Sequence, residues 1–388
     1  MTEIYLDNAA TTPIADEVLA DMTDKFKNVF GNASTLYGLG RQSHTVLEAS
    51  RHVIADSINA NDNQIVFTSG GSESDNTAII QTAEARKKLG NHIISTAIEH
   101  EAVLKPLQYL ESKGFRVTYL PVNENGEISL DDFKAALDDE TILVTIMSGN
   151  NEVGSRMPIH EIGEILKDHQ AWFHTDAVQA YGLLDIDVKA DHIDMLSTSA
   201  HKINGPKMMG FLYRSDNVSF PSFIKGGDQE MKRRAGTENV PGISGFATAV
   251  KLLTDDEKQA RQAKYYHFKE MIAAGLADNG IDFAINGSLD PNNLNHVFNL
   301  WIKGFSTYVL QTNLDLAGIA VSGGSACTAG SIAPSHVLVA MFGPDSPRIG
   351  ESIRVSFGKD TTEDYIKAFI NELSKIIERL KKTVKTEG

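Results

Sequence analysis

The stretch Thr68-Ser69-Gly70-Gly71-Ser72-Glu73-Ser74 decides how this chain is read. A β-branched run, Ile65 to Thr68, leads into it, and a helical run from Ser72 to Leu89 leads out and closes at Gly90. A strand that passes through two glycines into a helix start leaves backbone N–H groups and a hydroxyl where a phosphate can sit. The same glycines could serve only a tight turn, and Glu73 and Asp75 would repel a dianion unless they point away.

Outward from this point the pattern repeats. His92 to Thr96, Val117 to Pro121, Ile142 to Met147, Trp172 to Thr175 and Ile193 to Thr198 read as strands, and Glu101 to Ser112, Leu130 to Leu137 and Ile159 to His169 as helices. Short β-branched runs alternating with amphipathic helices predict an α/β fold with a largely parallel, helix-covered sheet. Ligands then bind beyond the carboxyl ends of the strands. Upstream, the first fifteen residues read as an extended arm with a turn at Asp7-Asn8-Ala9-Ala10-Thr11-Thr12-Pro13, followed by a helix to Phe26. Downstream, Val240 to about Asn279 reads as a long helical stretch broken near Thr254. A strand at His296 to Ile302, a helix at Thr307 to Leu316, a strand at Ile353 to Phe357 and a final helix make a smaller α+β unit. The last helix carries apolar residues from Ile366 to Leu380 at helical spacing, with Thr361 and Asp364 as a capping box.

Composition narrows the function. Over 388 residues, 41% apolar and 22% charged content fits a soluble globular protein. The formal charge of −15 argues against general affinity for nucleic acid or anionic membrane. Lys232-Arg233-Arg234 is a local exception that reads as a solvated turn. No apolar run approaches the ~18 residues needed to cross a bilayer, and no basic leader precedes Glu3 and Asp7, so a cytoplasmic location is expected. A single cysteine, Cys327, excludes an intrachain disulfide and a CxxC metal site. His160-Glu161 lacks the second histidine of HExxH, and no metal is expected.

The groups that could do chemistry fall at strand ends. In Ser197-Thr198-Ser199-Ala200-His201-Lys202-Ile203-Asn204-Gly205-Pro206-Lys207, small hydroxyl residues and a histidine precede a lysine, and a Gly-Pro turn follows it. Serine and histidine can hydrogen-bond a phosphate while the turn aims the amine into a cleft. A lysine bound as a Schiff base to a phosphorylated aldehyde needs that setting; an ordinary loop lysine is the alternative. Asp176 follows another strand and suits the task of keeping a pyridine nitrogen protonated, or else caps a helix. His100 falls just after a strand end, as catalyst or cap. Asn150-Asn151-Glu152-Val153-Gly154 offers side-chain amides. Cys327 sits among small residues in Ser322 to Gly330, which predicts a reachable loop. Arg354 lies inside an apolar strand and needs an anion, either a substrate carboxylate or an internal Asp or Glu.

Taken in order, these pieces resemble the cysteine desulfurases of the NifS/IscS type, within the class V aminotransferase family of fold-type I pyridoxal phosphate enzymes. The resemblance runs from Tyr5-Leu6-Asp7-Asn8-Ala9-Ala10-Thr11-Thr12 to the strand with Arg354. It includes Glu73-Ser74-Asp75-Asn76, Glu99-His100, Asp176-Ala177 with Gln179, His201-Lys202, Arg234-Ala235-Gly236-Thr237 and Gly324-Ser325-Ala326-Cys327. It implies a large, mostly parallel seven-stranded domain over 16–258, a small C-terminal domain over 259–388 with the cysteine loop, and an arm over 1–15 joining the small domain. Lys202 would hold pyridoxal 5'-phosphate, Asp176 would pair with its pyridine nitrogen, Gln179 with its phenolic oxygen, and His100 would stack on the ring. Gly71, Ser72, Ser199 and His201 would bind the phosphate, with Thr237 entering from a second subunit of a homodimer. Asn151 and Arg354 would hold the substrate carboxylate.

The implied reaction converts L-cysteine to L-alanine and leaves a persulfide on Cys327. With no other cysteine in the chain, the sulfur acceptor must be another molecule. The extended Cys327 loop, with Ser331 and Pro334-Ser335, is similar to the group with the longer loop. The short tail makes tRNA-thiolation partners at least as expected as an iron–sulfur scaffold. Selenocysteine lyase, another enzyme of this fold and an inactive cofactor-binding partner protein are the alternatives. Three stretches depart from the family pattern: Gly70-Gly71-Ser72 for Gly-Ala-Thr, Ser148-Gly149 before the Asn pair, and Met208-Met209 where a glycine is usual.

Overall fold

The computed structural model describes residues 3–323 and 334–386. Its main sheet has seven strands, ordered Ile65–Thr68, Gly210–Arg214, Met195–Ser197, Trp172–Asp176, Thr141–Thr145, His92–Thr96 and Arg116–Leu120. The expected strands pair in parallel from Arg116–Leu120 through Met195–Ser197. Strands 92–96, 141–145 and 172–176 are buried at every position, as befits a sheet covered on both faces.

Gly210–Arg214 is the exception and was not foreseen. It runs antiparallel to both neighbours. Its entry needs a glycine, because a Cβ on Gly210 would stand 2.5 Å from the Thr198 carbonyl oxygen and 2.6 Å from Gly70 Cα. Just before it, Met208 takes φ 57°, so the departure from a glycine leaves a side chain in left-handed backbone.

Helix Gly38–Asp56 was also missed. Its buried face carries Gly40, Ser43, Leu47, Ser50 and Arg51 as well as Ile54, so small and polar residues interrupt the apolar periodicity. It packs on Val240–Lys251, which stays against the main sheet, Phe246 stacking on Phe211 at 5.8 Å; of the helical stretch expected to leave that layer, only the following helix, Asp255–Asp278, does so and joins the second core. A second sheet, ordered Ser352–Ser356, Val297–Ile302 and Phe283–Asn286, is antiparallel and builds its own core from Phe268, Phe298, Val355, Phe357, Phe369 and their neighbours. The last helix, Glu363–Thr386, is capped one residue later than expected: the Thr362 hydroxyl accepts from the Tyr365 N–H at 3.3 Å, while Thr361 accepts from Gly358 N–H.

The arm spans the two sheets. Ile4–Tyr5 pairs in parallel with Ile319–Ala320, Asn8 N–H donates to the Ser356 carbonyl and Ala9 N–H to its hydroxyl. Three residues on, Thr12 N–H donates to the His201 carbonyl and Ala15 N–H to that of Asn204. The chain therefore enters on the small sheet and leaves on the lysine loop.

The basic run at 232–234 is not a simple solvated turn. Glu230, Met231 and Lys232 take φ of 47°, 55° and 67°, three successive residues in left-handed backbone. One buried carboxylate holds them: Glu230 pairs bidentately with buried Arg51 at 2.8 and 2.9 Å and accepts from Phe67 N–H at 3.0 Å. Removing one partner of such a pair strands a buried charge. Glu230→Ala is expected to lower the unfolding free energy by about 3 kcal/mol or more, read from chemical denaturation.

Candidate active site

The carboxyl ends of the main strands open into a cleft of roughly 580 Å³. Its walls bring together Gly71, Ser72 and His100 from the strand–helix turns, Asn151, Asp176 and Gln179 from the next loops, Ser199, His201 and Lys202 from the lysine loop, and Arg354 from the small sheet. Thr237 does not line this cleft and is exposed. Cys327 lies outside the described residues. The described ends of its segment are anchored beside the cleft, Ser322 by backbone pairing with Arg354 and Ser335 by a 2.5 Å hydrogen bond to Glu152.

Lys202 sits in a 3₁₀ turn, Ala200–Lys202, that ends the loop from strand Met195–Ser197. Its amine reaches across to the arm and donates to the carbonyls of Ala9 at 2.6 Å and Ala10 at 2.8 Å. Gln179 Nε2 donates to the same Ala9 carbonyl at 3.1 Å. Arg354 meets the arm too, pairing with Asp7 at 2.7 Å, while its second nitrogen donates to the Asn151 carbonyl at 2.9 Å. The internal-anion alternative for Arg354 is thus realised by Asp7.

At the opposite end, helix Gly71–Arg86 begins without a side-chain cap. A Cβ on Gly71 would stand 2.6 Å from Val178, so only glycine lets the helix start come this close to the Asp176 loop. Ser199 Oγ lies beside Gly70, within 3.5 Å of the Cβ that position lacks. Backbone N–H groups, a serine hydroxyl and His201 therefore ring one end of the cleft, a donor set suited to phosphate. Burial, with Lys202 and Lys207 adding to it, pushes His201 down to about 4, so it is neutral.

The two acids that threatened this arrangement are disarmed. Burial works to raise the Glu73 carboxyl, but bonds from Arg234 at 3.0 and 3.2 Å and from Ser69 N–H outweigh it and turn its charge away. Asp75 is fully buried, and desolvation together with the nearby Asp176 raises it well above the usual range. His174 Nε2 lies 3.6 Å from Asp75, yet burial drives this histidine down to about 3, so the contact joins two neutral groups.

Asp176 differs from Asp75 in its company. Burial raises it as well, but His100, the Val178 N–H at 2.9 Å and Lys202 all favour its anion. Of the two carboxyls, Asp75 keeps the proton and Asp176 is the one left to face a cation. An aromatic nitrogen base meeting Asp176, an anion at the Gly71–Ser72 end and an aldehyde at Lys202 are together what pyridoxal phosphate offers, and the residues present fit it. His100 serves both readings: it caps helix Glu101–Glu111, its Nδ1 accepting from Ala102 N–H at 3.1 Å, and it lines the cleft.

Sequence reasoning did not find Asp75, Glu99 or the arm carbonyls as parts of the site. Glu99 is fully buried, accepts from Thr96 and from Met147 N–H, and is raised to about 8 by burial despite those bonds. A carboxyl raised on folding favours the native state below its unfolded value near 4.3 and loses that advantage as pH climbs through 8. Glu99→Gln, which keeps the neutral shape, is expected to flatten the decline of apoprotein stability between pH 5 and 8. The gain at pH 8 is about 1–3 kcal/mol, read by urea unfolding at each pH.

Comparison with known proteins bears on this geometry. The family described as Aminotransferase class-V matches residues 4–369. "Putative cysteine desulfurase IscS 1" of Bacillus subtilis (strain 168) is 53% identical over 380 residues, covering 98% of this chain and 100% of that protein. "Cysteine desulfurase IscS" of Methanosarcina thermophila is 42% identical, covering 97% and 93%. A solved "NIFS-LIKE PROTEIN" superposes with a TM-score of 0.90 at 33% identity over 97% of this chain and 100% of its own. "SspA in complex with cysteine" does so with a TM-score of 0.80 at 36% identity over 92% and 99%. This chain belongs to the class-V aminotransferase family of pyridoxal phosphate enzymes and, within it, to the cysteine desulfurases.

Proposed function

We propose that the cleft converts L-cysteine to L-alanine and that Cys327 carries the sulfur away as a persulfide. The single observation that carries this reading is the convergence of Lys202, Asp176, His100 and Arg354 on one cleft. Pyridoxal phosphate, when bound, supplies an electron sink for the bond changes at the substrate's Cα and Cβ. The chain supplies the rest. Lys202 holds the aldehyde and, once the substrate amine displaces it, moves the Cα proton. Asp176 keeps the pyridine nitrogen protonated, and Gln179 hydrogen-bonds the phenolic oxygen. Gly71, Ser72, Ser199 and His201 hold the phosphate, and His100 lies against the ring. Arg354, fixed in orientation by Asp7 and the Asn151 carbonyl, takes the substrate carboxylate together with the Asn151 amide.

The sulfur step balances without an outside oxidant. The Cys327 thiolate attacks the substrate sulfur, the carbon–sulfur bond breaks, and the carbon takes up the proton that makes alanine. Chain reach supports the assignment: the residues from Ser322 to Cys327 extend at most about 17 Å, and Ser322 is fixed to the cleft arginine.

Thr237, exposed on its own chain, serves the phosphate of a second copy, which makes the protein a homodimer. The apolar side chains Phe26, Phe30, Leu36 and Tyr37 are exposed on the first helix and the connection after it and supply surface for that contact. Among the described residues no helix is long and apolar enough to cross a membrane. The reading includes a cytoplasmic location and a separate sulfur acceptor, in tRNA thiolation or iron–sulfur cluster assembly.

The test is a set of spectra and product assays on the purified, cofactor-loaded protein. Wild type is expected to show a visible band and to yield alanine and persulfide with L-cysteine. Lys202→Ala loses the lysine-bound band. Cys327→Ser keeps the band while persulfide and turnover disappear. Full turnover in the Cys327 variant would sink the role of that thiol.

A further inference from the structure

Gln179 has an amide whose orientation the structure determines. Its Nε2 faces the Ala9 carbonyl at 3.1 Å, and a carbonyl only accepts, so the amide nitrogen must be on that side. Its Oε1 is then the atom 2.8 Å from His296 Nε2, and the histidine must donate. His296 therefore carries a hydrogen on Nε2, and its Nδ1 is buried with no hydrogen-bond partner among the described residues. The groups that act on this ring are basic: Lys202 from the cleft, Arg354 from the small sheet, and Lys269 from helix Asp255–Asp278, whose own amine burial pushes down to about 7. Burial, reinforced by these three, drives His296 down to about 3, so it has no means of becoming a second cation at working pH. Its backbone is fixed as well, the carbonyl accepting from Phe357 N–H at 2.8 Å.

We propose that His296 is a positioning residue for the cofactor: by donating to Gln179 Oε1 it locks the amide so that the remaining Nε2 hydrogen points at the phenolic oxygen. The proposal rests on the reading that Gln179 meets that oxygen. Ala9 takes one of the two Nε2 hydrogens, and the other is left for the ligand. A hydrogen bond to the phenolic oxygen stabilises negative charge there and lowers the proton affinity of the Lys202 nitrogen beside it. Without the His296 bond only the Ala9 carbonyl holds the amide, which can then swing about that one contact and loosen its hydrogen bond to the phenolic oxygen, and the proton affinity rises.

The readout is the pH midpoint of the visible absorption band of the cofactor-loaded protein without substrate, followed in wild type and in His296→Leu, His296→Asn, His296→Gln and Gln179→Leu. In side-chain reach the glutamine amide nitrogen overlays histidine Nε2, whereas the asparagine nitrogen overlays Nδ1. The Leu and Asn variants are expected to move the midpoint up by about one pH unit, a tenfold change in proton affinity, while His296→Gln stays near wild type. Gln179→Leu should move it in the same direction. If Gln179→Leu shifts the midpoint and the His296 variants do not, or if His296→Gln shifts as far as His296→Asn, the positioning role is refuted. If Gln179→Leu itself leaves the midpoint unchanged, the contact between Gln179 and the phenolic oxygen is refuted, and the proposal with it. Should His296→Leu fail to load, the Asn and Gln pair decides alone.

Discussion

Two carbonyl groups on the N-terminal arm organise the cleft. Ala9 and Ala10 together accept the Lys202 amine, Ala9 also fixes Gln179, and two residues earlier Asp7 holds Arg354. None of these acceptors belongs to the main sheet. They hang from Ser356 of the small sheet and are tied down again at His201 and Asn204. The lysine that would bear the aldehyde and the arginine that would take a carboxylate are thus aimed by one short extended segment bridging two separate cores.

Charge control is the second theme. A cleft whose donor set suits a dianionic phosphate has Glu73, Asp75, Glu99 and Asp176 around it, and it avoids repulsion by treating each differently. Glu73 is neutralised by Arg234, Asp75 and Glu99 keep protons through burial, and Asp176 is left among His100, Lys202 and a backbone N–H. The preference among four carboxyls follows from which one lies within reach of positive potential in a desolvated site. His174, driven neutral by the same burial, fills space beside Asp75 without adding a cation that would reverse this order.

Much of the main sheet was legible because its central strands are buried on both faces and read as continuous β-branched runs. Helix Gly38–Asp56 was not, since Ser43, Ser50 and Arg51 occupy its buried face and erase the apolar rhythm. The reversed strand Gly210–Arg214 escaped notice because strand direction depends on the turn before it, here built on Met208 in left-handed backbone. At the site, local strand-to-helix signals located the Gly70–Gly71 turn and the acid and lysine loops that line the cleft. What no local pattern encodes is the state of a buried carboxyl or the long-range contacts of Ala9 with Lys202 and Gln179, which depend on folding 170 and 193 positions of chain back onto the arm.

The arm's grip on Lys202 has a thermodynamic consequence. Any ligand that takes the amine for itself removes two hydrogen bonds, one each to Ala9 and Ala10, so occupancy of the cleft and docking of the arm are linked equilibria, each changing the other by the same factor. A protein caught with its lysine engaged elsewhere holds the segment from Asn8 to Thr12 less firmly than one at rest. Accessibility of that segment to a protease then becomes a reporter of what the cleft contains, written in the backbone rather than in the chromophore.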